Sequence, residues 1–450
     1  MATSLILPLI RRIKESGEVL HTTINLLGEG GVARLHLIPS QFSFRPLPSL
    51  LIVNGVYRMP LKSGLAALMR IFINTMNQFG DNEKEISEVR MNQIVNLTVK
   101  RLRWLYPELS REQAQREIAS MMELIRRIAR NEPISVEEFG YTMSEWAQIA
   151  QGPERMDLMV MPVLHNGVRV CNADCGACYA KDLQTGVLPT WAWKWIISRL
   201  KYCGVSQVTF TGGEPTLRKD LPDLIHAARF YVTRLNTNGF TLDPYLVRDL
   251  VDADLDMIQI TYYSSFSSIH DELMGRKGAS KFSRRAIEWA LDGGLNVSVN
   301  IPIVAENSLT FVDTLQCLFT LGVRYVTCSG LIPTGGAKDR NILTRDKLYE
   351  VVRDGIAFAQ QSGMDLQFTS PGQLTDEQLK DLGLAVPMCG AGLSNMAIRP
   401  DGQVVPCQSW ITAPLGSMMW KPWEWIWEHP KTVVIRKNNA LKNQCPLKEE

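Results

Sequence analysis

Apolar and polar positions change rhythm twice along this chain. Between 32 and 60 the runs are short and β-like, and residues 50–59 set Asn54-Gly55 between apolar arms, a pattern that predicts a β-hairpin. Amphipathic stretches over 62–77, 82–105 and 110–131 then read as helices. Ser110-Arg111-Glu112-Gln113 has the spacing of a capping box, and Pro107 ends the helix before it. From about residue 156 the pattern becomes an alternation. Apolar runs at 158–164, 207–210, 232–236, 257–261, 296–303 and 324–328 are separated by amphipathic segments at 190–203, 221–229, 244–252, 281–292 and 309–321. Six such βα units predict a parallel sheet, which right-handed crossovers curl toward an open barrel. Beyond about 369 the chain is rich in loops.

Composition narrows the classes. With 450 residues the chain is long enough for two or three folded units, and 45% hydrophobic with 21% charged residues is an ordinary globular balance. Lys plus Arg (48) nearly cancels Asp plus Glu (46), so the whole molecule lacks the electrostatic footprint of a dedicated nucleic-acid binder, which leaves only a local basic patch open. The basic residues of the helical region (Lys100, Arg101, Arg103, Arg116, Arg126, Arg127, Arg130) are interleaved with Asp81, Glu112, Glu117 and Glu123, which reads as a solvated face of mixed charge. The apolar run at 4–10 precedes Arg11, Arg12 and Lys14, the reverse of a signal peptide, and no run reaches the ~18 residues of a membrane span. The expectation is a cytoplasmic protein without a membrane partner.

Nine Cys in such a chain point to metal or catalytic sites before disulfides. Cys171, Cys175 and Cys178 form Cys-x3-Cys-x2-Cys just after the first strand of the βα region. Three thiolates on one short hydrophilic loop with no nearby His fit iron-sulfur ligation better than tetrahedral zinc, for which the loop offers no fourth ligand. Cys203, Cys317 and Cys328 have apolar neighbours on helices or strands and are expected in the core.

The cysteine loop resembles the cluster-binding motif of radical S-adenosylmethionine (SAM) enzymes, and the resemblance runs from Cys171 to the end of the chain. It implies an α/β fold with a partial (β/α)6 barrel. Cys171, Cys175 and Cys178 would hold a [4Fe-4S] cluster whose fourth iron takes the amino and carboxylate groups of SAM. The residue before the third cysteine is often aromatic in the family and lies near the adenine; here it is Ala177, with Tyr179 one place beyond Cys178. Thr211-Gly212-Gly213-Glu214-Pro215 at the end of the second strand resembles the segment that receives the cofactor's amino group. Two glycines let carbonyls approach an ammonium, and a carboxylate favours the charged form. By the same resemblance Asn238 and Thr261, at the ends of strands three and four, face the ribose and carboxylate, and Ile332 in the segment 331–336 backs the adenine. All these positions lie at C-terminal strand ends, where barrel enzymes carry chemistry. Ile269-His270-Asp271 with Gly275 and Gly278 matches a stretch of the branch that modifies peptides, without a catalytic role for His270.

Cys389, Gly402 and Cys407 resemble the first half of the SPASM extension, whose second half is largely missing: Cys445 is followed by Pro446, Leu447 and Lys448. Cys389, Cys407 and Cys445 then suit a single auxiliary [4Fe-4S] cluster, as in the shorter twitch-type extension, and the Asp401-Gly402 pair turns a hairpin. The N-terminal region resembles the winged-helix peptide-recognition domains fused to maturases of ribosomally made peptides, set against a plain helical cap. The implied domains are 1–150, 151–368 for the barrel and 369–450 for the auxiliary-cluster extension. The implied function is radical hydrogen abstraction from a precursor peptide or protein, with an electron donor such as flavodoxin or ferredoxin. Two alternatives are radical oxidation or rearrangement of a small molecule such as a sugar or alcohol, and a non-catalytic iron-sulfur electron-transfer or sensor protein. The glycine-rich ammonium segment argues against the last.

Overall fold

The computed structural model of the protein describes residues 20–25, 32–38, 49–53, 57–79, 88–129, 135, 138, 140–142, 151–229, 231–338, 340, 342–439 and 442–448. The chain divides into two units, residues 1–150 and 151–450. The apolar run at 4–10 and the Asn54-Gly55 turn lie outside the described residues.

In the first unit, strands β1 (Leu20–Asn25), β2 (Val32–Ile38), β3 (Ser49–Val53) and β4 (Tyr57–Leu61) pair in that order, all antiparallel. Val53 stands opposite Tyr57, so β3 and β4 pair as the expected hairpin arms. Helices α1 (Ser63–Gln78), α2 (Glu88–Leu105) and α3 (Arg111–Ala129) follow. The capping box forms as its spacing requires: the Gln113 N–H donates to Ser110 Oγ (3.1 Å) and the Ser110 N–H to Gln113 Oε1 (2.9 Å). Leu35, Leu37, Leu51 and Val53 of the sheet share one core with Phe72, Ile118 and Ile125 of the helices. This unit therefore buries its own apolar face.

The second unit is built on one mixed sheet. Its strands in chain order are β5 (Arg155–Met161), the short hairpin β6 (Leu164–His165) and β7 (Val168–Arg169), β8 (Gln207–Gly212), β9 (Val232–Thr237), β10 (Met257–Thr261), β11 (Val297–Pro302), β12 (Tyr325–Ser329), β13 (Asp365–Phe368), β14 (Asn395–Ile398), β15 (Gln403–Val405) and β16 (Gly416–Ser417). The sheet order is β13-β12-β11-β10-β9-β8-β5-β14-β15-β16, parallel as far as β14 and antiparallel at β15 and β16. The sheet is open, not a closed barrel. Helices α4 (Thr190–Leu200), α5 (Leu221–Ala227), α6 (Pro244–Asp252), α7 (Ser267–Met274), α8 (Ala279–Asp292), α9 (Ala305–Ser308), α10 (Phe311–Thr320) and α11 (Arg345–Ser362) lie between its strands. Asp243 shows why one of them starts where it does: its Oδ1 accepts the Leu246 N–H (2.7 Å), and Pro244 occupies the first helical position.

Strand periodicity separates the two faces. Ile258, Ile260, Val299, Ile301, Val326 and Cys328 point one way and are fully buried, whereas Gln259, Asn300 and Thr327 point the other way and stay half-buried. Those polar groups are linked: Gln259 Nε2 donates to Thr327 Oγ1 (3.1 Å), which lies 3.0 Å from Asn300 Oδ1. Cys203 and Cys328 are core residues as expected, but Cys317 is only half-buried, 3.8 Å from Arg284 Nη1. No helix among the described residues is long and apolar enough to cross a membrane.

Candidate functional site

A tight turn sets the direction of the cysteine loop. Asn166 (φ 50°) and Gly167 (φ 78°) both adopt left-handed conformations between β6 and β7, the form an Asn-Gly hairpin requires, and the Val170 N–H then donates to Val163 O (2.9 Å). Cys171, Cys175 and Cys178 follow on turns. Burial pushes the Cys171 thiol up to about 12, and Cys175 rises as well, with the charges of Cys178 and Cys171 next in importance after burial. The three thiols are thus electrostatic neighbours, and thiolates so crowded and so buried call for positive charge between them. Among the described residues no group of three or more His, Cys, Asp or Glu side chains is already drawn together as metal ligands are.

The end of β8 comes to this loop. Gly212 (φ 130°) packs so closely that a Cβ there would lie 2.3 Å from Met161 O, and the Gly213 N–H donates to Met161 O (2.7 Å). Glu214 is 1% exposed, and burial raises its carboxyl. Its Oε1 accepts from Thr237 Oγ1 (2.6 Å) and Thr216 Oγ1 (2.5 Å), and its Oε2 from the Asn238 N–H (2.8 Å). The carboxylate therefore ties the end of β8 to the end of β9. Pro215 opens the short turn that follows. Asn238 carries the link onward, since its Nδ2 donates to Asn172 Oδ1 (2.7 Å) inside the cysteine loop.

From the other side, Gly335 stands against the backbone of Cys178 and Tyr179, where a Cβ would lie 2.5 Å from Cys178 O, and the Gly336 N–H donates to Cys178 O (2.9 Å). Ile332 precedes this contact, its carbonyl accepting the Thr334 N–H (2.7 Å). Asn172 Nδ2 and Thr334 Oγ1 are buried without a hydrogen-bond partner. Such groups at the margin of the loop leave polar capacity for a bound molecule. Thr261 ends β10 half-buried, in register with Asn300.

The second cysteine group assembles from distant segments. Between β14 and β15, Gly402 (φ 82°) closes the expected Asp401-Gly402 hairpin, with its N–H donating to Arg399 O (2.9 Å). Cys389 packs with Cys407 and Trp410, and its N–H donates to Lys442 O (2.9 Å), which brings in the segment of Cys445. Burial pushes the Cys407 thiol up to about 12, with the charges of Cys389 and Cys445 adding to the rise. Tyr179 stands between the two groups: its hydroxyl donates to Gln408 Oε1 (3.4 Å), beside Cys407, and lies 3.5 Å from Thr211 Oγ1, while Tyr179, Cys171 and Cys178 all pack against one apolar cluster that includes Met159 and Val163.

His270 is a structural residue. It is 0% exposed, its Nδ1 accepts the Tyr263 N–H (3.1 Å), and its ring lies 4.7 Å from that of Tyr262. Burial lowers its pKa to about 4, opposed only by Asp271. The unfolded chain, with an imidazole near ~6.5, binds the proton first, so stability is full above that pH and declines as pH falls toward 4. Denaturant unfolding is expected to lose about 2 kcal/mol between pH 7 and pH 5 from this group, and His270→Gln to remove that part of the pH dependence. An unaltered profile in the variant would contradict the assignment.

Residues 166–318 match the profile of the radical SAM superfamily, and residues 389–447 that of an iron-sulfur cluster-binding domain, SPASM. The chain is 27% identical over 260 residues to the AdoMet-dependent heme synthase of Oleidesulfovibrio alaskensis, covering 53% of this chain and 67% of that protein. It is 27% identical over 247 residues to the PqqA peptide cyclase of Gluconobacter oxydans, with the same two coverages of 53% and 67%. In fold it is similar to Streptococcus suis SuiB bound to its precursor peptide SuiA, with a TM-score of 0.58 over 87% of each chain at 14% identity. The chain is an enzyme that carries a radical SAM domain followed by a SPASM iron-sulfur cluster-binding domain.

Proposed function

We propose that the enzyme abstracts hydrogen from a residue of a ribosomally made precursor peptide or protein, as a step in its maturation. Cys171, Cys175 and Cys178 would hold the [4Fe-4S] cluster that, when bound, supplies the electron cleaving SAM to methionine and a 5′-deoxyadenosyl radical. The chain's own part is to place and shield. Gly212 and Gly213 bring backbone to the cofactor's amino group, and Glu214 with Pro215 fixes that turn. Asn238, Thr261, Tyr179 and Ile332 complete the proposed cofactor wall, and Cys389, Cys407 and Cys445 would hold the auxiliary cluster.

The observation that carries the peptide reading is the first unit. Its sheet is covered by helices and ends on one side in β1, which pairs with β2 alone among the described strands, while β4 is met at Leu61 by Gly140. Such an edge accepts an extended segment through main-chain hydrogen bonds. A small-molecule enzyme has no use for it. The likeness to a heme synthase keeps a small-molecule substrate as the second reading.

Calorimetric titration of the cognate leader peptide separates the two. Full-length protein is expected to bind it, and protein lacking residues 1–150 to lose that binding while still cleaving SAM. Equal affinity in both forms would reduce the first unit to a structural cap.

A further inference from the structure

The loop of Cys171, Cys175 and Cys178 contains no helix or strand of its own, so its shape is imposed by neighbours. The last turn of α7 takes two of its amides: the Asp174 N–H donates to Met274 O and the Gly176 N–H to Leu273 O, each at 3.1 Å. Gly275 (φ 62°) permits that approach, since a Cβ there would lie 2.2 Å from Asp174 O. The stretch from Ile269 to Gly278, to which no chemistry was assigned, is therefore a cradle for the cysteine loop. Asp271 fixes its far end by accepting the N–H groups of Gly278 (2.5 Å) and Ser280 (2.8 Å).

Three arginines close on the same loop from three different elements. Arg169, at the end of β7, donates to Ala173 O (3.2 Å) and pairs with Asp174 (2.7 Å). Arg276, just beyond α7, donates to Asn172 O (2.9 Å), its guanidinium lying 4.9 Å and 5.4 Å from the ring centres of Phe240 and Phe282. Arg340 lies against Gly176, whose Cβ position would be only 2.0 Å from Arg340 Nη2, and it pairs with Glu306 (2.7 Å). Arg169 and Arg340 each have a carboxylate partner. Arg276 has no ion pair among the described residues, so its charge is the least compensated of the three.

We propose that Arg169, Arg276 and Arg340 form a cationic collar that holds the cysteine loop and raises the reduction potential of the cluster bound there. The proposal rests on the reading that Cys171, Cys175 and Cys178 are the cluster's ligands. Reduction adds one electron and breaks no bond, so a fixed positive charge nearby favours the reduced form, most strongly where aromatic rings and protein backbone exclude water. These arginines touch backbone rather than reacting atoms and are positioning residues.

The test is a redox titration of the reconstituted full-length protein, followed by the electron paramagnetic resonance signal of the reduced cluster. Arg276→Gln is expected to lower the reduced-to-oxidised ratio about tenfold at a fixed poise, which is about 59 mV for one electron. Arg276→Lys keeps the charge and should stay close to the parent protein. Arg340→Gln, at a side chain already 21% exposed, should move the potential in the same direction with little risk to folding. An unchanged potential in Arg340→Gln at full iron content overturns the collar even if Arg276→Gln fails to hold iron. So does a shift in Arg276→Lys as large as in Arg276→Gln. Failure of the ligand reading is distinguishable, because then the parent protein itself shows no signal that depends on Cys175.

Discussion

Cys175→Ala is expected to reduce the conversion of SAM to 5′-deoxyadenosine and methionine, under a strong reductant, to the level of a protein-free control. Cys175 is the middle cysteine, with its Sγ 3.8 Å from Met274 Sδ and its neighbours held by α7 carbonyls. No His or carboxylate in the loop can replace it. Asp174 is committed to Arg169, and Glu214 spends both oxygens on Thr216, Thr237 and Asn238. A three-thiolate site that loses one ligand has no means of keeping one iron open for the cofactor while binding the others. Iron content and product are read on the same sample, and undiminished turnover would contradict the ligand assignment.

Replacing Cys389, Cys407 and Cys445 together with Ala should lower iron from about eight to about four per chain, if both sites hold four-iron clusters. These thiols are neighbours of one another and lie on a separate segment from the first three, with the Tyr179–Gln408 hydrogen bond linking the two sites. Cleavage of SAM without substrate should therefore survive the triple substitution. An iron content unchanged by it would mean that the second group binds no cluster.

What could be read from the chain alone was what lies close in sequence. Cys-x3-Cys-x2-Cys, the Gly-Gly-Glu-Pro turn, the Asp401-Gly402 hairpin and the capping box at Ser110 are each complete within a few residues, and the βα rhythm needs only local periodicity. The pattern nevertheless stops one unit early. Strand β13 shows only Leu366 and Phe368 as apolar positions, because its other residues, Asp365 and Gln367, belong to the polar face. The pairing of β14 with β5 joins Asn395 to Arg155, a partnership that periodicity cannot reveal. The turn that aims the cysteine loop could have been found, since Asn166-Gly167 carries the same hairpin signal that was recognised at Asn54-Gly55. Arg276 and Arg340 could not. Their value lies in contacts to Asn172 and Gly176 that only the folded chain makes.

The measurement closest to the central claim is isotope transfer from substrate to cofactor product. A precursor peptide deuterated at every carbon, supplied with SAM and reductant, should give 5′-deoxyadenosine that carries a single deuterium by mass spectrometry, and the label should vanish with unlabelled peptide. Peptide recovered unmodified beside unlabelled 5′-deoxyadenosine, with label appearing only when a deuterated small molecule is offered instead, would contradict the account.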